Sequence, residues 1–260
     1  MTGTFTARPG AAPLHRQVVA QARMEAKLML RNGEQLLLAV VIPVIVLVGG
    51  VTAGEHLSLD LDTSRPLVDT LTPGVIALAV MSTSFTSLAI ATGFERRYGI
   101  IKRLGASPLP RWGLLFGKIG AVVIVEIVQL GVLSGVGLLL GWEPHGGLTA
   151  VGEMIMLVIL GTAAFGSLGL LIAGTLRAEA TLAVANLVYV LLLVGGGLLV
   201  PLGRYPEAAR HVLELLPSGA LGQGLRDTFA GDGPTAFTTV ILLIWAVCAT
   251  LLVSRTFKWE

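Results

Sequence analysis

Two carboxylates stand inside long apolar stretches: Glu126, within residues 113–140, and Glu153, near the start of residues 149–176. An ionisable group in such a setting is costly and by default marks a functional hypothesis. Glu126 has Gln129 one turn away, so it is placed to line a polar path, to pair with a neighbouring helix or to relay a proton. Glu153 is close enough to an end to reach lipid headgroups. "MSTSFTS" at 81–87 adds hydroxyls that either bond within and between packed helices or line a path. A translocation path would draw on Ser84, Ser87, Glu126, Gln129 and Asn186. Nucleophilic chemistry lacks its parts. His15, His56, His145 and His211 all lie outside the apolar runs, so the serine of "GSLG" at 166–169 has no intramembrane histidine as base. "GLLFGK" at 113–118 has three residues between its glycines where a phosphate-binding loop needs four, and Ile119 follows the lysine, so ATP is not bound by that motif. The single cysteine, Cys248, allows no intrachain disulfide and suggests no cysteine-based metal site.

A different kind of chemistry is concentrated in "GFERRYGIIKRLGASPLPRW", residues 93–112. Arg96, Arg97, Lys102, Arg103 and Arg111 face one acid, Glu95. Projected as a helix, Phe94, Tyr98, Ile100, Ile101 and Leu104 cover one arc and Glu95, Arg96, Lys102 and Arg103 the other; Arg97 falls inside the apolar arc. Pro108 and Pro110 stop the helix. A topological anchor need only be basic. An apolar face with a defined stop suits docking onto another protein.

The elements that hold these residues are membrane helices. Of 260 residues, 54% are hydrophobic and 13% charged, with mean hydropathy +0.82; soluble domains carry about a quarter charged residues. Six spans are expected, at about 36–54, 71–92, 113–140, 149–176, 181–202 and 236–254, each long enough to cross the hydrocarbon core. Pro43 should kink the first. The GxxxG pair Gly131 and Gly135 permits close helix approach in the third. Residues 1–13 show no period and are expected to be disordered; the polar, basic start does not have the layout of a signal peptide. Residues 14–34 carry an amphipathic helix, with Val18, Val19, Ala22, Ala26 and Leu30 near helical spacing and Arg16, Arg23, Lys27 and Arg31 on the other side. That pattern also fits an ordinary cytosolic helix; the span that follows almost at once favours the membrane surface. Residues 203–235 are patterned as two short helices on or in the outer leaflet, and 255–260 form a tail. Thirteen of the 18 basic residues fall on the side of the N-terminus, the 93–112 loop and the tail, against Arg65, Arg204, Arg210 and Arg226 opposite, with Lys118 inside a span. Basic residues stay inside, so both termini and that loop are expected in the cytoplasm. The net charge of +2 gives no case for nucleic acid.

The string "FERRYGIIKRLGASPLPRWGLLFGK" (94–118) resembles the signature of type-2 ABC transporter permeases: an acidic–basic pair, a glycine soon after, a short amphipathic helix, a Ser–Pro pair, then a span opening with Gly–Lys. Glu95, Arg96, Gly99, Leu104, Ser107, Pro108, Leu109, Gly117 and Lys118 match it; Ile100–Ile101 stand where many relatives have Thr–Leu, which bears on docking detail. "GGGLLVPLGRYP", "LLPSGALGQGLRD" and "RTFKWE" are similar to later segments of the same family, so the likeness runs over nearly the whole chain after residue 14.

The resemblance implies an all-α membrane protein of six transmembrane helices, with an N-terminal elbow helix, a cytoplasmic coupling helix at 94–104 and short outer helices before the last span. It implies that Glu95, Arg96, Arg97, Gly99, Ile101, Arg103 and Leu104 couple the chain to a separate ATP-binding subunit, which holds ATP and Mg; the chain itself binds no cofactor and is not an enzyme. It further implies a second copy or a sister permease, contact with membrane lipid, a place in the plasma membrane, and export. Its drug and antibiotic exporter branch points to a hydrophobic or lipid-like substrate. Two other readings compete: a proton-coupled secondary transporter using Glu126, which should show an internal hydropathy repeat that is not evident, and a non-transporting membrane scaffold or sensor.

Overall fold

The computed structural model describes residues 12–31, 33–57, 65–105 and 110–257. Most of the expected disordered start, Ser107–Leu109 of the signature, and the tail from residue 258 lie outside these. Side chains at 34–38, 55–57, 105 and 111–112 are likewise outside the description.

The described chain is helical throughout, with no strand among the described residues. In order it forms α1 (Leu14–Arg31), α2 (Gly33–Leu57), α3 (Leu67–Met81), a π-helical turn (Ser82–Ser87), α4 (Leu88–Arg97), α5 (Ile100–Gly105), α6 (Arg111–Leu139), α7 (Gly147–Thr175), α8 (Ala178–Gly195), a 3-10 turn (Leu202–Arg204), α9 (Glu207–Leu213), α10 (Pro217–Ala230) and α11 (Ala236–Thr256). Five of these stretches are long and apolar enough to cross a membrane: 67–97, 113–139, 147–175, 178–195 and 236–256; α2 adds a shorter apolar stretch, Ala39–Gly54. The molecule is therefore an all-α, multi-pass membrane protein. Pro43 sits inside α2 without ending it.

Sequence sets the helix ends. Pro66 and Pro110 precede α3 and α6 in extended conformation. Pro217 opens α10, where its missing N–H costs nothing, and Gly231 closes it at φ 91°, a left-handed cap that suits glycine. Thr235 caps α11 by accepting the Thr238 N–H at 3.2 Å.

The helix at α8 corrects the sequence reading. It was expected to run from 181 to 202, but it starts at Ala178 and ends at Gly195. Gly195, Gly196 and Gly197 follow one another, and Gly197 adopts φ 61°, so the chain turns where a helix period alone would continue. At 18 residues the helix is about 27 Å long.

α3 is the centre of the bundle. Val68 and every residue from Thr70 to Met81 are buried, as expected of a helix surrounded on all sides. α8 and α11 are peripheral, and Leu187, Leu191, Val194, Ile244 and Leu251 among others are exposed. In a membrane protein such faces meet lipid or another subunit. The π-helical turn, whose hydrogen bonds span one residue more than those of an α-helix, packs against α7. There Gly166 and Gly169 of "GSLG" let the helices close: a Cβ at Gly169 would stand 2.7 Å from the Phe85 carbonyl oxygen. That motif serves packing. By contrast nothing among the described residues lies within 4 Å of an added Cβ at Gly131 or Gly135, so the GxxxG face of α6 brings none of the described helices close.

Opposite the end that holds α1 and α5, the connection before the last span carries two consecutive helices, α9 and α10. The Trp245 indole donates to the Leu215 carbonyl at 2.9 Å, nine residues into α11, so the link between α9 and α10 lies about 14 Å along that helix from its start. The long connection before the last span is thus two helices, as its pattern suggested.

Candidate functional site

The charged segment after the second span was expected to form one helix over 94–104. It does not. α4 ends at Arg97, Tyr98 leaves the helical region at φ −84°, ψ 6°, and Gly99 takes φ 68°. A side chain at that angle is strained, so glycine is where the axis changes. α5 then starts afresh, its Arg103 N–H bonding to the Gly99 carbonyl at 3.1 Å. A single helical projection cannot be carried across this break. What it placed on one arc is divided. Tyr98 (64% exposed) and Ile100 (41%) face outward beside Arg97, Lys102 and Arg103, while Ile101 (1%) is buried. Ile101 belongs to a small core with Leu88, Val122, Leu170, Val253 and Phe257, and Leu104 is half-buried. Ile101 therefore seats the turn on the membrane helices and is no part of its outer face.

Four charged side chains brace this turn. Arg96 donates to the Ala173 carbonyl at 2.6 Å, in the last turn of α7, where the helix dipole favours a cation. Arg97 pairs with Glu179 at the start of α8, which explains its place in the otherwise apolar arc. Both partners of that pair are at least half exposed, so it contributes about 0–1 kcal/mol. Arg97→Gln is accordingly expected to leave the thermal midpoint within a few degrees of the parent, by melting in detergent. Glu95 reaches Lys118 of α6, and Lys118 Nζ also lies 3.1 Å from Glu25 Oε1 of α1. The Gln21 side chain donates to the same Glu25 oxygen at 2.9 Å. Lys118 is only 2% exposed, with Glu25 at 11% and Glu95 at 21%. One ammonium thus joins three helices.

Glu25 was missed by sequence reasoning. Its signal was present: Gln21 and Glu25 fall on the same stripe as Ala22 and Ala26, which was read as the apolar face of α1. The stripe is instead the face that lies on α6. A Cβ at Gly117 would stand 2.7 Å from Gln21 Cγ, and one at Gly120 3.2 Å from the Ala22 methyl. Val19, Met24 and Leu28 are exposed on the remainder of α1.

The five residues considered for a translocation path are not brought to one surface. Ser84 is buried and donates to the Val80 carbonyl of its own helix at 2.6 Å. Ser87 is half-buried. Glu126 is buried and accepts from the Thr162 hydroxyl at 2.6 Å, facing α7. Gln129 is buried between α2 and the π-helical turn, donating to the Ala39 carbonyl at 2.7 Å and accepting from Thr83 at 3.0 Å. Asn186 is exposed on α8 and bonds to the Leu182 carbonyl at 3.0 Å. Gln129 and Glu126 each bond to a neighbouring helix, while Glu126 Oε1 has no hydrogen-bond partner among the described residues.

At the opposite end Arg226 of α10 is the second residue whose role the sequence does not reveal, since there it is one of four basic residues of the outer side. Its Nε donates to the Thr70 carbonyl at 3.2 Å and its Nη2 to the Leu198 carbonyl at 2.5 Å. It ties α10 to α3 and to the turn after α8. Burial pulls its pKa down to about 10, so it is still a cation at neutral pH.

A helical bundle with a braced, basic turn after its second span is matched by the family model described as ABC-2 family transporter protein, over residues 57–255. The chain belongs to this family. It is a type-2 ABC permease. The permease is also 24% identical, over 182 residues covering 67% of its length and 71% of the relative's, to "Putative transport permease YvfS" of Bacillus subtilis (strain 168). Permeases of this family work with an ATP-binding subunit, and the present permease accordingly is a transport subunit of an ABC system.

Proposed function

We propose that this permease is the membrane subunit of an exporter in the plasma membrane. It moves a hydrophobic or amphipathic substrate outward, of the drug, antibiotic or lipid-like class, while a separate subunit binds and hydrolyses ATP with Mg. The observation that carries the reading is the turn at Gly99. It presents Tyr98 and Ile100, two large apolar side chains, beside the cations Arg97, Lys102 and Arg103 at an end of the bundle. Glu95, Arg96, Ile101 and Leu104 support that turn from behind, so coupling divides between residues that touch the partner and residues that hold the contact in place. The excess of basic residues on the side of this turn and both termini supports a cytoplasmic location for them, where ATP is. The exposed apolar faces of the peripheral helices meet lipid and a second permease subunit, a copy or a sister chain.

Large apolar anchors at the centre of such a contact each carry about 2 kcal/mol or more. Ile100→Glu is therefore expected to weaken association with the ATP-hydrolysing subunit about 30-fold or more, read by titrating that subunit onto the permease in nanodiscs. Unchanged affinity would sink the docking assignment. Substrate class and direction are tested by ATP turnover of the reconstituted complex against a panel of lipids and apolar drugs, with uptake into inside-out vesicles. A pH gradient without ATP is expected to drive no transport; transport driven by it alone would favour the proton-coupled reading through Glu126.

A further inference from the structure

Burying one ammonium and two carboxylates where three apolar side chains would pack is an expensive way to stabilise a fold. What such a cluster supplies is fixed geometry, since each bond has a direction and a partner. Lys118 stands on α6, yet its partners stand on two other helices, Glu25 on α1 and Glu95 on α4. Glu95 lies two residues before the exposed stretch that starts at Arg97. Beneath the cluster, Gly117 and Gly120 let α1 lie flush on α6, while Val19, Met24 and Leu28 leave the far side of α1 exposed. Those apolar groups give α1 affinity for a lipid surface but no fixed register on it, because such contacts are non-directional. The register of α1 against the bundle comes from Gln21, Glu25 and the two glycines.

We propose that Lys118 and Glu25 are positioning residues of the coupling machinery: they fasten α1 to the end of α4, so that displacement of the Tyr98–Arg103 turn by the ATP-hydrolysing subunit carries α1 with it. This rests on the docking reading above. α1 then works as a moving part of the transmission and not as a passive float on the membrane surface.

The test is hydrogen exchange on the whole complex in lipid nanodiscs, without nucleotide and with ATP on a hydrolysis-deficient partner. In the parent, ATP is expected to change exchange in residues 100–105 and in α1 together. In Glu25→Gln, residues 100–105 should still respond, while the response of α1 falls about fivefold or more, the scale of a lost coupling between sites. A purely structural role for Glu25 would shift α1 equally in both nucleotide states. If α1 responds to ATP in Glu25→Gln as it does in the parent, the inference is overturned and the docking reading stands. If residues 100–105 of the parent do not respond to the partner at all, the docking reading falls and the inference with it. Should Glu25→Gln speed exchange throughout α3 and α7, Glu25→Asp carries the test: retention of the α1 response supports the proposal, and its loss with Lys118 still protected overturns it.

Discussion

Lys118→Met is expected to cost the fold about 3–5 kcal/mol, one of the largest effects of any single substitution in this chain. The loss does not come from the missing ammonium as such. It comes from Glu25 and Glu95, both largely buried, which are left facing each other with no cation between them. Replacing the group as a whole removes that penalty. The triple variant Glu25→Gln, Glu95→Gln, Lys118→Met should therefore regain most of the stability lost by Lys118→Met alone. The measurement is the thermal midpoint of each detergent-solubilised variant at one scan rate, since such unfolding is often irreversible. A triple variant no more stable than Lys118→Met would show that the lysine acts through its packing and not through its charge. Function should separate from stability here. The triple variant has a sound bundle but no directional tie between α1 and α4, so under the proposal above it folds and couples poorly.

Gly74→Ala is the second. In an isolated helix the change would be favourable by about 1 kcal/mol. Here the new methyl would overlap the Leu198 carbonyl oxygen and stand 2.7 Å from Arg226 Nη2. Both neighbours are held, the carbonyl by the turn after α8 and the guanidinium by its bonds to Thr70 and Leu198. Relief requires moving α10 off α3, which strands a buried cation. The expected cost is about 3 kcal/mol, at the upper end for overpacking, read as a lower melting midpoint and as faster hydrogen exchange in α10. Gly131→Ala is the control. Among the described residues no atom lies within 4 Å of its added Cβ, so for the single chain it should be neutral or slightly stabilising. A marked loss there, in the assembled transporter only, would place a helix of the second subunit on that face.

Helix existence was legible because it depends on length and apolar content, which are properties of a window of sequence. α6, α7 and α11 lie within a few residues of where hydropathy puts them. The end of α8 was not legible in that way: Gly195–Gly197 continue an apolar run while the backbone at Gly197 takes a conformation that only glycine enters cheaply. The same blindness produced the single helix over 94–104. Periodicity assumes a continuous axis, and Gly99 breaks it, so Tyr98 and Ile100 face out while Ile101 faces in.

Residue types and their order determined, without any coordinates, that this chain crosses a membrane repeatedly, that its charge gathers after the second span, and that it resembles the permeases to which it belongs. The first two follow from the hydrophobic effect and from local spacing, both additive along the chain; the third rests on likeness of the residues themselves. Which polar residues meet was decided only by tertiary structure. Glu25 and Lys118 are 93 positions apart, and Arg226 reaches Thr70 across 156. The chemistry of a glutamate or an arginine does not name its partner. Distance between packed helices does: it sets Glu126 against Thr162, Gln129 against Ala39, and Lys118 between Glu25 and Glu95.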